Sequence, residues 1–197
     1  MFDHKFIDAY SHTVLQMSNL EDVHWFAKHT LKNKLLSKQW LFEELTKIFI
    51  PRNTCILGSW YGTLLPYLLH TEDSCFTCVD IDSRLAPHTS TFNDRLYEVN
   101  RVKFICADAR TYIQTSIEPF DCIINTSCEH MPYDMKDVIW NSRPVYVFQS
   151  NNYDIPEHIN FKRSLNEFVT STGLNTIIYS GTKQLKNYDR YMVIGTL

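Results

Sequence analysis

No apolar run in the chain approaches the length of a membrane span. The opening residues, Met1-Phe2-Asp3-His4-Lys5, lead into no uninterrupted apolar core of signal-peptide length. A soluble, intracellular protein of the cytoplasm is therefore expected. An excess of either charge is also missing: 19 Lys and Arg stand against 22 Asp and Glu, for a formal net charge of −3. That balance gives no electrostatic footprint for wrapping a nucleic acid backbone or lying on anionic lipid, so neither extended nucleic acid binding nor a membrane partner is expected. The histidines lack ligand spacing. No HxxxH or HxH occurs, His24, His29 and His70 lie apart on segments that read as helical, and no required metal is predicted. A disulfide framework is absent too, because most of the six cysteines sit beside Ile, Val and Phe, where reduced cysteine acts as a small buried hydrophobe. Cys75 and Cys78 form a single CxxC without a second pair. Repeats and low-complexity segments are not seen.

What the chain does have is enough apolar material for one core. At 197 residues, 44% hydrophobic and 21% charged, it suffices for one domain and not for two ordinary ones. Residues 1–48 read as a helical cap. Ser18-Asn19-Leu20-Glu21 has the form of a capping box, and Trp40, Leu41, Glu44 and Leu45 recur at helical spacing. Over 49–197 the pattern changes to apolar runs of four to six residues separated by helical or polar stretches, the signature of βαβ units on a parallel sheet. Seven strands are predicted, at Cys55–Leu57, Phe76–Val79, Val102–Cys106, Cys122–Asn125, Val145–Gln149, Thr176–Ser180 and Tyr191–Gly195. Helices are expected near 61–70, 83–99, 109–115, 135–140 and 162–171, with Pro66 kinking or shortening the first of them. Only Gly181 to Arg190 separates the last two strands, which is room for a hairpin and too little for a crossover helix. The final strand is therefore expected to run antiparallel to the rest.

The first strand ends in a glycine-punctuated turn, Gly58-Ser59-Trp60-Tyr61-Gly62, and the second stops at Asp80-Ile81-Asp82. Glycines in such a turn let backbone groups approach a ligand closely. An acid at the end of the next parallel strand can accept both hydrogen bonds of a ribose diol. Val102-Lys103-Phe104-Ile105-Cys106-Ala107-Asp108 ends a third strand on an acid, and Cys122-Ile123-Ile124-Asn125 leads into Cys128-Glu129-His130.

In this order, over residues 53–197, these motifs resemble the class I S-adenosylmethionine-dependent methyltransferases. The resemblance implies a doubly wound, mostly parallel α/β sheet of seven strands with an antiparallel C-terminal strand. It implies S-adenosylmethionine as cofactor, with Gly58, Ser59, Trp60 and Gly62 around its methionine end, Asp80 on the ribose, Asp108 on the adenine, and Asp82 and Asn125 nearby. Asp82 is equally placed to cap the helix that follows it, and capping is the alternative role for Asp108. The sequence departs from the family at two points: Ile56 replaces the acid usually found two positions before the first glycine, and Trp60 stands where a small residue is usual. The asparagine- or acid-led double-proline motif of amino-methylating DNA enzymes and the proline-cysteine pair of cytosine enzymes are missing.

Methyl transfer from a sulfonium is an in-line displacement on an activated carbon, so positioning supplies much of the catalysis and a base is needed only for a protonated acceptor. His130, with Glu129 orienting its ring, is the expected base; stabilising the loop is the simpler role for the same pair. Gln149, Asn151, Asn152 and Tyr153 gather neutral donors and acceptors past the fifth strand and are the expected substrate-binding set, although asparagines also favour turns. Glu157 and His158 follow in what reads as a solvated loop within reach of the same pocket. Trp60 could stack on the ligand or pack against the N-terminal helices. The function read here is methylation of a small polar metabolite or nucleotide-type acceptor. The alternatives are a non-catalytic protein that binds S-adenosylmethionine and an aminopropyl- or aminocarboxypropyl-transferring relative.

Overall fold

The computed structural model describes residues 2–28, 32–97 and 101–197. His29 and the last residues of the helix expected over 83–99 lie outside the described residues. Three helices come first, α1 (His4–Gln16), α2 (Leu20–Lys28) and α3 (Lys32–Ile48). The remaining elements are β1 (Asn53–Leu57), α4 (Leu64–Leu69), β2 (Cys75–Asp80), α5 (Ala86–Leu96), β3 (Val102–Cys106), α6 (Ala109–Thr115), β4 (Cys122–Asn125), β5 (Val145–Asn151), α7 (Leu165–Thr172), β6 (Thr176–Gln184) and β7 (Asp189–Thr196). The strands form one sheet in the order β3-β2-β1-β4-β5-β7-β6. β1, β2, β3, β4 and β5 pair in parallel, and β7 runs antiparallel to both β5 and β6, as the short connection requires.

The central strands are mostly apolar because helices cover both faces of the sheet. Ile56, Ile124, Val147 and Ile194 point to one face, where they pack with Trp40, Leu41 and Leu45 of α3 and with Leu65 and Leu69 of α4. Their neighbours Leu57, Ile123, Phe148 and Val193 point to the other, against Ile113 of α6 and Phe168 of α7. A third cluster joins Phe6 of α1, Phe26 of α2 and Phe92 of α5 to Tyr61 of the turn after β1. The N-terminal helices thereby bear directly on the glycine turn.

Several boundaries differ from expectation for local reasons. The α2 cap is Asn19 and not Ser18: Asn19 Oδ1 accepts from the Asp22 amide at 2.8 Å, and Asp22 takes the Asn19 amide hydrogen in return. The helix expected near 61–70 starts only at Leu64, because Gly62 at φ +57° cannot begin an α-helix. Pro66 then falls in the first turn, where its missing N–H costs nothing. The helix expected over 135–140 is a single 3-10 turn, Met135–Asp137. The indole N–H of Trp140 takes the Met135 carbonyl that a continuing helix would have used, and β-branched Val138 and Ile139 add no helical preference. The helix expected from 83 opens as a 3-10 turn, Ser83–Leu85, before α5.

Candidate active site

The strand order reverses between β1 and β4, whose connections leave on opposite sides, and the crevice this opens at the C-terminal ends of the strands is where doubly wound sheets hold ligands. A cavity of about 300 Å³ lies there. It is bounded by α3, by the turn after β1, and by segments following β4 and β5.

The turn itself is an alternation of left-handed residues: Gly58 at φ +59°, Trp60 at +52° and Gly62 at +57°. Trp60 is a bulky residue in a conformation that costs on the order of 1–3 kcal/mol, so its surroundings must hold it. Its amide donates to Asp80 Oδ2 at 2.7 Å, its ring meets Trp25 edge-on at 6.1 Å, and the Lys34 ammonium sits 3.3 Å from its centroid. Trp60 thus packs on the N-terminal helices and lines the cavity at once. Gly58, Ser59 and Gly62 line it too, as does Ile56 where the resemblance would place an acid.

The three aspartates expected at the cofactor, Asp80, Asp82 and Asp108, lie outside the cavity lining. Asp80 ends β2 and accepts from the amides of Trp60 and Asp82. Burial pushes its carboxyl above the usual range, against the pull of those amides. Two amides leave part of a carboxylate's four acceptor sites uncommitted. Asp82 caps the 3-10 turn through the Arg84 amide and pairs with the Arg84 guanidinium. Asp108 caps α6 through the amide and hydroxyl of Thr111. Asn125 is buried, and its side-chain Oδ1 accepts from the Ser127 amide.

The polar set after β5 is largely spent on structure. Gln149 is wholly buried and exchanges two hydrogen bonds with Ser37 of α3. Asn151 donates to Glu129 Oε1 at 2.7 Å and accepts from the Tyr153 amide, while Asn152 pairs with Asp189. Of the four, Asn151 and Tyr153 line the cavity, and the Tyr153 ring stacks on Tyr188 at 5.3 Å.

Glu129 does not orient His130. Its Oε1 accepts from the Arg190 guanidinium, whose other arm reaches the Thr126 carbonyl, and Arg190 and Glu129 are both buried. The His130 ring is held instead by its Nδ1, 2.9 Å from the Glu157 carbonyl. A carbonyl oxygen only accepts, so Nδ1 carries the hydrogen and Nε2 the basic lone pair.

Three cations that sequence reading passed over also line the cavity: Lys34, Lys38 and Arg190. Burial, with Lys28 and Arg190 close by, pushes Lys34 down to about 7, and burial pushes Lys38 well below its usual range. Their i, i+4 spacing puts both on one side of α3, and the packing of α3 on the sheet brings that side to the cavity. Arg190 arrives because antiparallel β7 begins beside the end of β5, with Arg190 opposite Asn151.

Sheet order, antiparallel β7 and ligand crevice together define the class I methyltransferase fold. No family model and no curated protein matches the chain in sequence. Solved structures do match. The N-methyltransferase NodS of Bradyrhizobium japonicum WM9, in complex with S-adenosylhomocysteine, superposes with a TM-score of 0.66 at 12% identity over 98% of each chain. The magnesium protoporphyrin IX methyltransferase ChlM of Synechocystis PCC 6803, with bound S-adenosylhomocysteine, gives 0.60 at 12% over 99% of this chain and 95% of that one. The O-methyltransferase TomG of Streptomyces achromogenes, in complex with S-adenosylmethionine, gives 0.60 at 14% over 100% and 91%. Among the described residues no helix is long and apolar enough to cross a membrane.

Proposed function

We propose that this chain is an S-adenosylmethionine-dependent methyltransferase of the cytoplasm acting on a small polar acceptor, nucleotide-type acceptors included. The observation that carries this reading is the cavity at the strand-order reversal, bordered by a turn with three left-handed residues, Gly58, Trp60 and Gly62. Structures of this fold with bound S-adenosylhomocysteine or S-adenosylmethionine support the choice of cofactor.

In this reading Gly58, Ser59, Trp60 and Gly62 border the methionine end, and Asp80 takes the ribose diol with its remaining acceptor sites. Asp108 stands toward the adenine, with Asp82 and Asn125 bracing the neighbouring loops. The acceptor enters between α3 and the segments after β4 and β5, where Asn151 and Tyr153 offer it polar contacts. Lys34 and Lys38, whose basicity burial depresses, and Arg190, already paired with Glu129, give the acceptor hydrogen-bond donors there. His130 Nε2 takes the proton when the acceptor arrives protonated, and Glu129 holds Arg190 in place.

Calorimetric titration with S-adenosylmethionine, S-adenosylhomocysteine and NAD tests the reading. Binding of the two sulfur nucleotides alone supports it, and binding of NAD alone, or of none, overturns it. Asp80→Ala is expected to weaken cofactor binding by about 1–3 kcal/mol, the scale of a lost charged hydrogen bond; unchanged affinity removes Asp80 from the site.

A further inference from the structure

Folding assembles a group that the linear spacing of the chain does not announce. A carboxylate oxygen of Glu129 and one ring nitrogen each from His130 and His158 all lie within 4.8 Å of one another, and all three residues line the cavity. Glu129 and His130 follow β4, while His158 comes from the loop after β5, so the cluster forms only when these two adjacent strands deliver their connections to one edge.

Two details go beyond proximity. First, both imidazoles are fixed in the same tautomer. His130 Nδ1 is 2.9 Å from the Glu157 carbonyl and His158 Nδ1 is 2.8 Å from the Tyr153 carbonyl, so each ring donates its Nδ1 hydrogen to backbone and keeps the Nε2 lone pair. A backbone carbonyl holding the far nitrogen is the usual way a metal-binding histidine is oriented. The rings stand edge-to-face, with centroids 4.7 Å apart. Second, Glu129 is only 4% exposed, and while Oε1 is engaged by Arg190 and Asn151, Oε2 is buried without any hydrogen-bond partner. A carboxylate oxygen in that condition forfeits its solvation with nothing in return, unless a ligand supplies it.

We propose that Glu129, His130 and His158 bind a first-row divalent cation of the zinc type, leaving at least one coordination position open to the cavity. Two imidazoles and a carboxylate suit such an ion better than magnesium or calcium, which favour all-oxygen sets. Arg190 is already neutralised through Oε1, and the depressed basicity of Lys34 and Lys38 lessens the repulsion an incoming cation meets. With the ion in place His130 Nε2 is a ligand and no longer a base, so polarisation of an acceptor atom passes from imidazole to metal.

The site is tested without a methyl donor, so its failure is separate from failure of the methyltransferase reading. The full chain, stripped by chelator dialysis, is titrated with Zn2+ by calorimetry and with Co2+ by visible absorption. One ion per chain is expected, with the Co2+ bands of nitrogen and oxygen ligands and no thiolate charge-transfer band. His158→Ala, in a surface loop, is expected to keep the native circular dichroism and to weaken Zn2+ by about 100-fold or more, at least the loss seen when supporting partners alone are removed. Glu129→Gln leaves Arg190 without its carboxylate, so it serves only as a second variant, read by the Co2+ spectrum. No stoichiometric binding, binding that survives His158→Ala, or a thiolate band abolished by Cys106→Ser would each overturn the proposal.

Discussion

Gly62 has its missing side chain directed at Cys78: a Cβ there would come within 2.7 Å of the sulfur and 2.9 Å of its Cβ, at a φ of +57°. Gly62→Ala is therefore expected to destabilise the protein by about 2–4 kcal/mol, combining left-handed strain with overpacking, as read from urea denaturation. Lys38 illustrates the opposite case, a residue whose presence costs stability. Its ammonium is depressed chiefly by burial, so folding disfavours the charged form. A depressed folded value contributes fully above the unfolded one, near 10.5, and that contribution is lost as pH falls toward the folded value. Lys38→Met is expected to raise stability at pH 7 by about 1–4 kcal/mol, with the gain shrinking toward pH 10.5. A gain of equal size at both pH values would assign the effect to packing and not to charge.

At the scale of elements, the segment after β5 is tied down by a lysine and not by apolar packing alone. Lys162 is buried, with its Nζ 2.7 Å from Asp134 Oδ1 and 2.6 Å from Asn160 Oδ1, and its amide donates to the Asn151 carbonyl. Asn160 in turn donates its amide to the Glu129 carbonyl. This clamp joins the two connections that flank the cavity. Lys162→Met is expected to accelerate hydrogen exchange over residues 152–162 by about 10–100-fold while β1 and β4 keep their protection, since the loss is of charged hydrogen bonds in one loop. Exchange that rises equally in the central strands would show Lys162 to be part of the global core.

For the molecule as a whole, a ligand taken up at the proposed site would couple to the stability of the fold. A ligand present at about 100 times its Kd adds about 2.7 kcal/mol to unfolding. S-adenosylhomocysteine is expected to raise the thermal midpoint accordingly and NAD to leave it unchanged, in a scan of the full chain with each. A midpoint indifferent to both would mean that the crevice is not a nucleotide site.

Strand positions were legible in the sequence because burial on both sheet faces demands continuous apolar runs. Val102–Cys106 and Cys122–Asn125 match their strands end to end, and the shortness of the expected Gly181–Arg190 connection, which the fold tightens to residues 185–188, sufficed to indicate the antiparallel last strand. The glycine turn was legible too, since left-handed backbone selects glycine, although nothing local announced that Trp60 would share that conformation. The lining of the cavity was decided by tertiary structure. Gln149 and Asn152 read as ligand contacts because their chemistry is that of a binding residue, yet in the fold those groups meet Ser37 and Asp189, while Asp82 and Asp108 take the capping positions that the sequence offered as their alternative. His158 read as a loop residue and Arg190 as part of the hairpin connection, and nothing in the sequence marked Lys34 or Lys38; all four reached the cavity only through the packing of α3, the loop after β5 and the antiparallel register of β7. Local pattern records which face of an element avoids water, but which polar groups face one another depends on distances between elements far apart in the chain, and those are set by packing.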